Sequence, residues 1–125
     1  MAGRLAGMTD IYIDPSVARM PDAADHLRHL LDTGHQLFLI GDFPAAVFDA
    51  LPGATAMEAM PTAVTAGSWS VSSDPAMCGM RLPGLQTLLV GPRLAPSPRP
   101  GPRCDAEARD LASSVLEILG RDVMG

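Results

Sequence analysis

The chain has 125 residues, a length typical of a single domain that buries most of the surface its unfolded form exposes. Apolar residues make up 47% of it and aromatic residues only 4%, which indicates a packed core of aliphatic side chains. The net charge of −5 argues against a nucleic-acid partner, because nucleic-acid-binding proteins usually present a basic face. All nine basic residues are arginine, which excludes a lysine Schiff base, a lysine general base and a P-loop lysine.

Cysteine usage and hydropathy bear on the compartment. The two cysteines, Cys78 and Cys104, form no C-x-x-C pair, and the pattern permits one disulfide between them without indicating it. No apolar run approaches the ~20 residues of a membrane span, and the N-terminal segment lacks the apolar stretch of a signal peptide. We therefore expect a cytoplasmic protein that does not enter a membrane.

The first elements in chain order are a tail, a strand and a helix. Residues 1–9 are small and rich in glycine, and we expect a flexible tail there. A short buried strand is predicted over 11–13, and Asp14 follows it directly. Pro21 and Gly34 suit the first turn and the end of an amphipathic helix between them. The apolar stripe of this helix recurs at steps of four and three and consists of Met20, Ala24, Leu27 and Leu31.

The middle of the chain alternates apolar strands with short joins. The segment QLFLIGD predicts a buried strand, with Asp42 as the cap of a short helix over 44–51. Residues 54–66 fit either a strand or a short helix. Two further strands are predicted over SWSVSSD and LQTLLVGP, and we assign the serines of the first to its polar side or its tip.

The end of the chain combines a loop with a helix. Five prolines and three arginines lie within 92–103, which indicates an extended loop or linker. A helix is predicted over 104–119, closed by Gly120. Because strands alternate with helices and no hairpin signal occurs, the predicted fold is a single α/β domain over 10–125. We expect a three-layer, Rossmann-like arrangement around a small parallel sheet of about five strands.

Polar and glycine residues follow the predicted strands, where parallel sheets bind their ligands. They are Asp14, Gly41-Asp42, Ser73-Asp74 and Gly91-Pro92. Asp14 and Asp74 are candidate Mg²⁺ ligands, since Mg²⁺ often takes only one or two carboxylates from a protein. The alternative is that each aspartate opens an ordinary turn, because each one precedes a proline.

The order of these segments resembles the core of the haloacid dehalogenase-like (HAD) superfamily. IYID resembles the family's first strand, which ends in a nucleophilic aspartate, here Asp14. MPDAADHLRHLLDTGHQLFLIGD is similar to the helix, glycine turn and strand that lead to the second motif. SWSVSSD with GLQTLLVGP resembles the fourth-motif region, and CDAEARDLASSVLEIL resembles the last helix. The resemblance covers most of 10–120 and implies a capless member of the family.

Several family positions lack the expected chemistry. Ser16 stands where the family has an acid/base aspartate, and Gly41 stands where a hydroxyl holds the phosphoryl group. Residues 43–80 contain no basic side chain to stabilise the transferring group. Losing one such electrostatic donor typically costs ~3–4 kcal/mol, so the resemblance implies a site with little catalysis. The candidate binding residues beside Asp14 are Gly41, Asp42, Ser73 and Arg81.

Three hypotheses for function remain open. The first is a catalytically degenerate HAD-like domain that acts through binding or assembly, with a small phosphorylated ligand or as a homodimer. The second is a Mg²⁺-dependent phosphatase-type hydrolase with Asp14 as nucleophile, Asp74 as metal ligand and an arginine from 81–103 as the missing cation. The third is an adaptor whose 92–103 segment is the ligand of another protein. The absence of a base in 43–80 favours the first.

Overall fold

The structure is a computed structural model of the single chain. It describes residues 10–20, 22–74, 77, 79, 82–91 and 104–124, with the backbone alone for 122–124. The predictions for the tail 1–9, for Arg81 and for the loop 92–103 lie outside these residues and stay predictions.

A parallel β-sheet forms the centre of the described chain. Its strands are β1 Asp10–Ile13, β2 Gln36–Ile40, β3 Thr55–Met57, β4 Ser68–Ser72, β5 Leu85–Val90 and β6 Ala106–Ala108. They lie in the order β3-β2-β1-β4-β5-β6, and every pairing is parallel. The chain steps outward in one direction from β1 to β3 and in the other from β4 to β6, as in a Rossmann-like sheet. The predicted α/β class is confirmed, with one strand more than expected.

Helices cover one face of this sheet. They are α1 Ala23–Asp32, α2 Ala45–Ala50 and α3 Leu111–Met124, and a 3₁₀ turn, Pro15–Arg19, follows β1. Alternate strand residues and the inner sides of the helices form one buried apolar cluster, because packing is what stabilises both kinds of element. Its largest fully buried members are Trp69, Ile11, Ile13, Leu27, Leu30, Leu37, Leu39, Leu51, Leu88 and Ile118.

A second helical layer was predicted for the opposite face. All three described α-helices pack against the one cluster, so the described residues show one helical layer rather than two. The opposite face carries Tyr12 stacked on Phe38, with the ring centroids 5.0 Å apart. In register with Tyr12, Ser70 and then Thr87 continue this row across β4 and β5.

The predicted helix over 104–119 is wrong at its beginning, because residues 106–108 form the edge strand β6. Asp105 gives the physical reason. Its Oδ2 accepts the backbone N–H of Thr87 at 2.8 Å and the Thr87 hydroxyl at 3.2 Å. The backbone N–H of Asp105 donates to the same hydroxyl at 3.1 Å. These bonds align the following residues with β5 and cover its otherwise open edge.

The helix α3 begins later and ends later than predicted. Asp110 caps it, since its Oδ1 accepts the backbone N–H of Ser113 at 2.7 Å. Hydrogen bonds from Ser113 hold the pKa of the Asp110 carboxyl below its ordinary value. Gly120 does not close the helix, which continues to Met124. A glycine late in a pattern predicts a helix end only weakly, because helix interiors also tolerate it.

Two further local predictions need a correction. Ser68, Ser70 and Ser72 share the side of β4 opposite Trp69 and Val71, as the alternation predicts, but they are 0%, 4% and 0% exposed. This side of the strand is therefore polar in composition and yet buried. Asp42 does not cap α2, whose N-cap position is Pro44, without a side-chain hydrogen bond.

Within the described ranges, no helix combines the length and apolar character needed to cross a bilayer. Cys104 is disulfide-bonded. The sequence permits one disulfide without indicating it, and the other cysteine, Cys78, lies outside the described residues.

Candidate functional site

The strand order places the candidate site at the carboxyl ends of β1 and β4. These two neighbours mark the point where the strand order reverses, which is where sheets of this type bind ligands. Asp14 follows β1, and Ser73 and Asp74 follow β4. Gly41 and Asp42 follow β2, the other neighbour of β1. The structure therefore confirms that these sequence-selected residues share one edge of the sheet.

Asp14 closes the turn that leaves β1. Its backbone N–H donates to the carbonyl of Val71 at 3.0 Å and so extends the pairing of β1 with β4. Its Oδ2 accepts the backbone N–H of Ser16 at 3.1 Å and the Ser16 hydroxyl at 2.5 Å. The carboxylate thereby caps the 3₁₀ turn, whose first residue is Pro15. The turn-opening interpretation of Asp14 is confirmed.

A chain of hydroxyl groups connects the two strand ends. The Ser16 and Ser72 hydroxyl oxygens lie 3.3 Å apart. Because the single Ser16 hydroxyl proton is directed to Asp14, Ser72 has to donate across this contact. Ser72 Oγ in turn accepts the backbone N–H of Asp74 at 3.0 Å. The donors thus point in one direction, from Asp74 through Ser72 and Ser16 to Asp14.

Ser16 uses its full hydrogen-bonding capacity in this chain. A hydroxyl has one donor and two acceptor positions. Ser16 Oγ donates to Asp14, accepts from Ser72, and accepts the backbone N–H of Ser73 at 3.0 Å. Within the described residues, this saturated hydroxyl occupies the position next to the candidate nucleophile. It therefore has no proton or lone pair to offer a substrate without breaking a bond.

Gly41 is held where a side chain does not fit easily. Its φ of +83° is a left-handed conformation that residues with a Cβ rarely adopt. A Cβ added there would lie 3.3 Å from Cγ of Pro15, in the turn that Asp14 opens. Its N–H donates to the carbonyl of Met57 at 2.7 Å, which fixes that conformation. The missing hydroxyl is thus disfavoured by the backbone itself.

The predicted metal site consists of two carboxylates, Asp14 and Asp74. In the portion of the chain that the structure describes, no group of three or more His, Cys, Asp or Glu side chains is arranged to hold a metal ion. Asp42 and Asp74 are both exposed, and the Asp74 carbonyl accepts the N–H of Met77 at 3.1 Å. Mg²⁺ can use two carboxylates with waters, so a site shared by Asp14 and Asp74 remains a hypothesis.

Sequence reasoning missed the roles of Ser16 and Ser72. Ser16 was selected only because it departs from a family pattern, and Ser72 was placed on the polar side of its strand. A usable signal was present in Asp14-Pro15-Ser16, since an aspartate before Pro-Ser often accepts the N–H two residues on. Nothing local predicts the contact between Ser16 and Ser72, because it joins residues 56 positions apart.

Comparisons with known proteins add no relative, since no protein-family model, curated protein or solved structure matches the chain. The chemistry of the site therefore rests on its own contacts. These contacts describe a closed polar turn at a position where α/β folds bind ligands.

Proposed function

We propose that this chain is a HAD-like α/β domain that has lost phosphoryl transfer and acts through binding or assembly. The observation that supports it most is the state of Ser16. Its hydroxyl is saturated by Asp14, Ser72 and Ser73 at the position where an active family member has an acid/base carboxylate. To protonate a leaving group, Ser16 would have to break its bond to Asp14, and a serine hydroxyl is a much weaker acid than the carboxylic acid that it replaces.

The electrostatics of the site support the same conclusion. Phosphoryl transfer depends on cations and donors that stabilise charge on the transferring group. Residues 43–80, which cover the connections from β2 to β4 and the end of β4, contain no lysine or arginine. The candidate hydroxyl clamp is Gly41, whose backbone disfavours a side chain. Asp14 would have to attack phosphorus without either form of assistance.

One observation favours the second candidate, a residual Mg²⁺-dependent hydrolase. Asp14 is half-buried, and its bonds to described residues all use Oδ2, which leaves Oδ1 as the oxygen for a ligand. In this hypothesis Asp14 attacks the phosphoryl group, Asp74 binds Mg²⁺ and an arginine such as Arg81 supplies the cation. Arg81 lies outside the described residues.

Turnover of a generic phosphomonoester with and without Mg²⁺ separates the two candidates. We expect no Mg²⁺-dependent release of phosphate above the protein-free rate, and no difference between the wild type and Asp14→Asn. Asp105→Asn is the matched control, because Asp105 makes the same kind of contacts away from the site. Turnover that Asp14→Asn abolishes and Asp105→Asn retains would establish the hydrolase instead.

Assembly would bury an apolar surface, and α3 carries an exposed apolar side chain. Leu116 is 70% exposed, the one large apolar side chain with high exposure among the described residues. We propose that a homodimer buries it. Sedimentation velocity over a range of concentrations tests this, with Leu116→Glu expected to shift the equilibrium toward monomer. A wild type that stays monomeric at every concentration would exclude homodimer assembly and leave ligand binding.

A further inference from the structure

The outer side of α3 carries almost no charge. Leu111, Val115 and Ile118 pack into the apolar cluster, so the opposite side of the helix faces outward. Between 111 and 120 the sequence holds one charged residue, Glu117. The exposed side of a surface helix is usually charged or polar, and α1 follows this rule. The exposed residues of α1 are Asp25, Arg28, His29 and Asp32.

Two residues on this outer side of α3 have complementary shapes. Leu116 is 70% exposed, so most of its apolar side chain lies outside the fold. Gly120 follows one helical turn later on the same side, and a Cβ added there would meet nothing within 4 Å. The position at Gly120 is therefore open to a side chain from a neighbouring molecule. A protruding leucine one turn from an open position fits a second copy of the same helix.

An ion pair borders the same side of the helix. Arg121 Nε donates to Glu117 Oε1 at 2.8 Å, and the two side chains are 44% and 39% exposed. Cζ of Arg121 lies 5.6 Å from the centroid of the Trp69 ring, a cation–π contact that helps to hold the guanidinium on this flank. The bond to Glu117 uses Nε, so the terminal nitrogens of the guanidinium can still bind a second carboxylate.

The charges of this flank are complementary to themselves in one orientation. When two copies of a helix run antiparallel about a twofold axis, the same flank of each copy meets. With Leu116 aligned on Gly120 of the other copy, Glu117 and the other copy's Arg121 are offset by two residues, about 3 Å along the axis. Their side chains are long enough to span this offset. In a parallel pair the two flanks would lie on opposite sides, and no ion pair would form between the copies.

We propose that two copies of the chain associate through α3 in antiparallel orientation, with Leu116 of each copy seated against Gly120 of the other. This rests on the homodimer of the proposed function and specifies its surface and orientation. A twofold interface requires a patch that is complementary to itself. The outer side of α3 meets this requirement in shape and in charge. A contact of one helix with one helix is small, so the dimer is weak and forms at high protein concentration.

Mixing two charge variants tests the orientation. Glu117→Arg places two cations on the flank, and Arg121→Glu places two carboxylates there. Each variant alone should associate at least about tenfold more weakly than the wild type, because like charges meet across the twofold axis. An equimolar mixture should recover association as a heterodimer. Sedimentation velocity from about 10 µM to about 1 mM, with a fluorescent label on one variant, measures both effects.

Two further variants complete the test. Arg28→Glu makes the same charge change on the exposed side of α1, and it should associate like the wild type. Gly120→Gln fills the open position without changing a charge. Glutamine also favours a helix more than glycine does, so this variant should be at least as stable as the wild type while it associates at least about tenfold more weakly.

The outcomes separate this interface from the homodimer itself. If Leu116→Glu disrupts a wild-type dimer but the charge variants form no heterodimer, the antiparallel arrangement is wrong and the homodimer stands. A Gly120→Gln protein that dimerises like the wild type would overturn the seat of Leu116, and this variant decides the outcome should a charge variant fail to fold. A wild type that stays monomeric at every concentration would overturn both and leave the surface to a different protein. None of these results depends on whether Asp14 is catalytic.

Discussion

Asp14 and Asp105 make almost the same contacts in two different regions of the molecule. Oδ2 of Asp14 accepts the backbone N–H and the hydroxyl of Ser16. Oδ2 of Asp105 accepts the backbone N–H and the hydroxyl of Thr87. Asp14 lies at the carboxyl end of β1, where α/β sheets bind ligands, whereas Asp105 lies at the amino end of β6, where they do not.

This likeness shows that a carboxylate at the ligand-binding edge of the sheet is not by itself evidence of function. The bonds of Asp105 organise the start of an edge strand and need no functional explanation. The bonds of Asp14 have the same form, so architecture accounts for them as well. What distinguishes Asp14 is the hydroxyl chain that reaches it from β4 and its second oxygen, Oδ1. Functional tests therefore have to address those two features.

Asp105→Ala should have the largest effect on stability. Thr87 is 1% exposed, so the substitution leaves a buried N–H and a buried hydroxyl without their acceptor. Hydrogen bonds to charged groups typically contribute about 1.5–3 kcal/mol, and we expect a loss of that size in the free energy of unfolding. Urea unfolding followed by the fluorescence of Trp69, the single tryptophan, measures it. Asp105→Asn keeps an acceptor, so its free energy of unfolding should fall by less than that of Asp105→Ala. Equal losses for the two variants would contradict this explanation.

Gly41→Ser, which adds the hydroxyl that the proposed HAD resemblance expects at this position, should destabilise the fold by about 1–2 kcal/mol, because a side chain is disfavoured at positive φ. Gly53→Ala is the matched control. Gly53 has a φ of +105°, and an added Cβ meets nothing within 4 Å. Urea unfolding measures both variants. If the free energy of unfolding falls further for Gly41→Ser than for Gly53→Ala, the difference reports the steric contact with Pro15. A stabilised Gly41→Ser would contradict the structure of this turn.

Asp14→Ala should reduce the free energy of unfolding by about 1 kcal/mol, the usual effect of removing a helix-capping side chain. The direction of this change in stability is informative, because replacing a catalytic carboxylate often stabilises a protein. Asp14→Asn retains an acceptor for the Ser16 N–H, so its free energy of unfolding should be close to that of the wild type. A gain in melting temperature for Asp14→Ala would favour the hydrolase hypothesis over the capping role.

The smallest effect concerns Tyr12, on the face of β1 opposite the apolar cluster. Burial and, secondarily, the negative charge of Asp10 raise its pKa above the ordinary value. The folded protein therefore keeps the phenolic proton to a higher pH than the unfolded chain does. Stability from this group is complete below about pH 10 and is lost as pH rises toward the folded pKa. Tyrosinate absorbance of this single tyrosine measures the shift, and Tyr12→Phe should flatten the stability curve above that pH.

The sequence predicted the elements whose apolar pattern is continuous or periodic. The strands β1, β2, β4 and β5 and the helix α1 lie where the pattern placed them. In α1 the buried residues are Ala23, Leu27 and Leu30, so Leu27 alone of the predicted stripe is fully inside. Periodicity gives the existence of a helix more reliably than its exact rotation, because neighbouring residues on one face differ little in hydropathy.

The sequence did not predict the features that depend on distant partners. The strand β6 exists because Asp105 meets Thr87, 18 positions earlier in the chain. The alternation placed the β4 serines on one side of the strand, but their polarity gave no sign that this side is buried. At the site, the shared edge was predicted from parallel topology, whereas the link between Ser16 and Ser72 required the fold.

Ligand-dependent thermal stability tests the central proposal, that Asp14 carries out no phosphoryl chemistry, most directly. Melting temperatures are compared for the wild type and Asp14→Asn with Mg²⁺, with Mg²⁺ plus beryllium fluoride, and with neither. Beryllium fluoride mimics a phosphoryl group on an aspartate, and a ligand at 100 times its Kd adds about 2.7 kcal/mol, a shift of several degrees. We predict no shift for either protein. A shift in the wild type that Asp14→Asn loses would contradict the account and establish a working aspartyl-phosphate site.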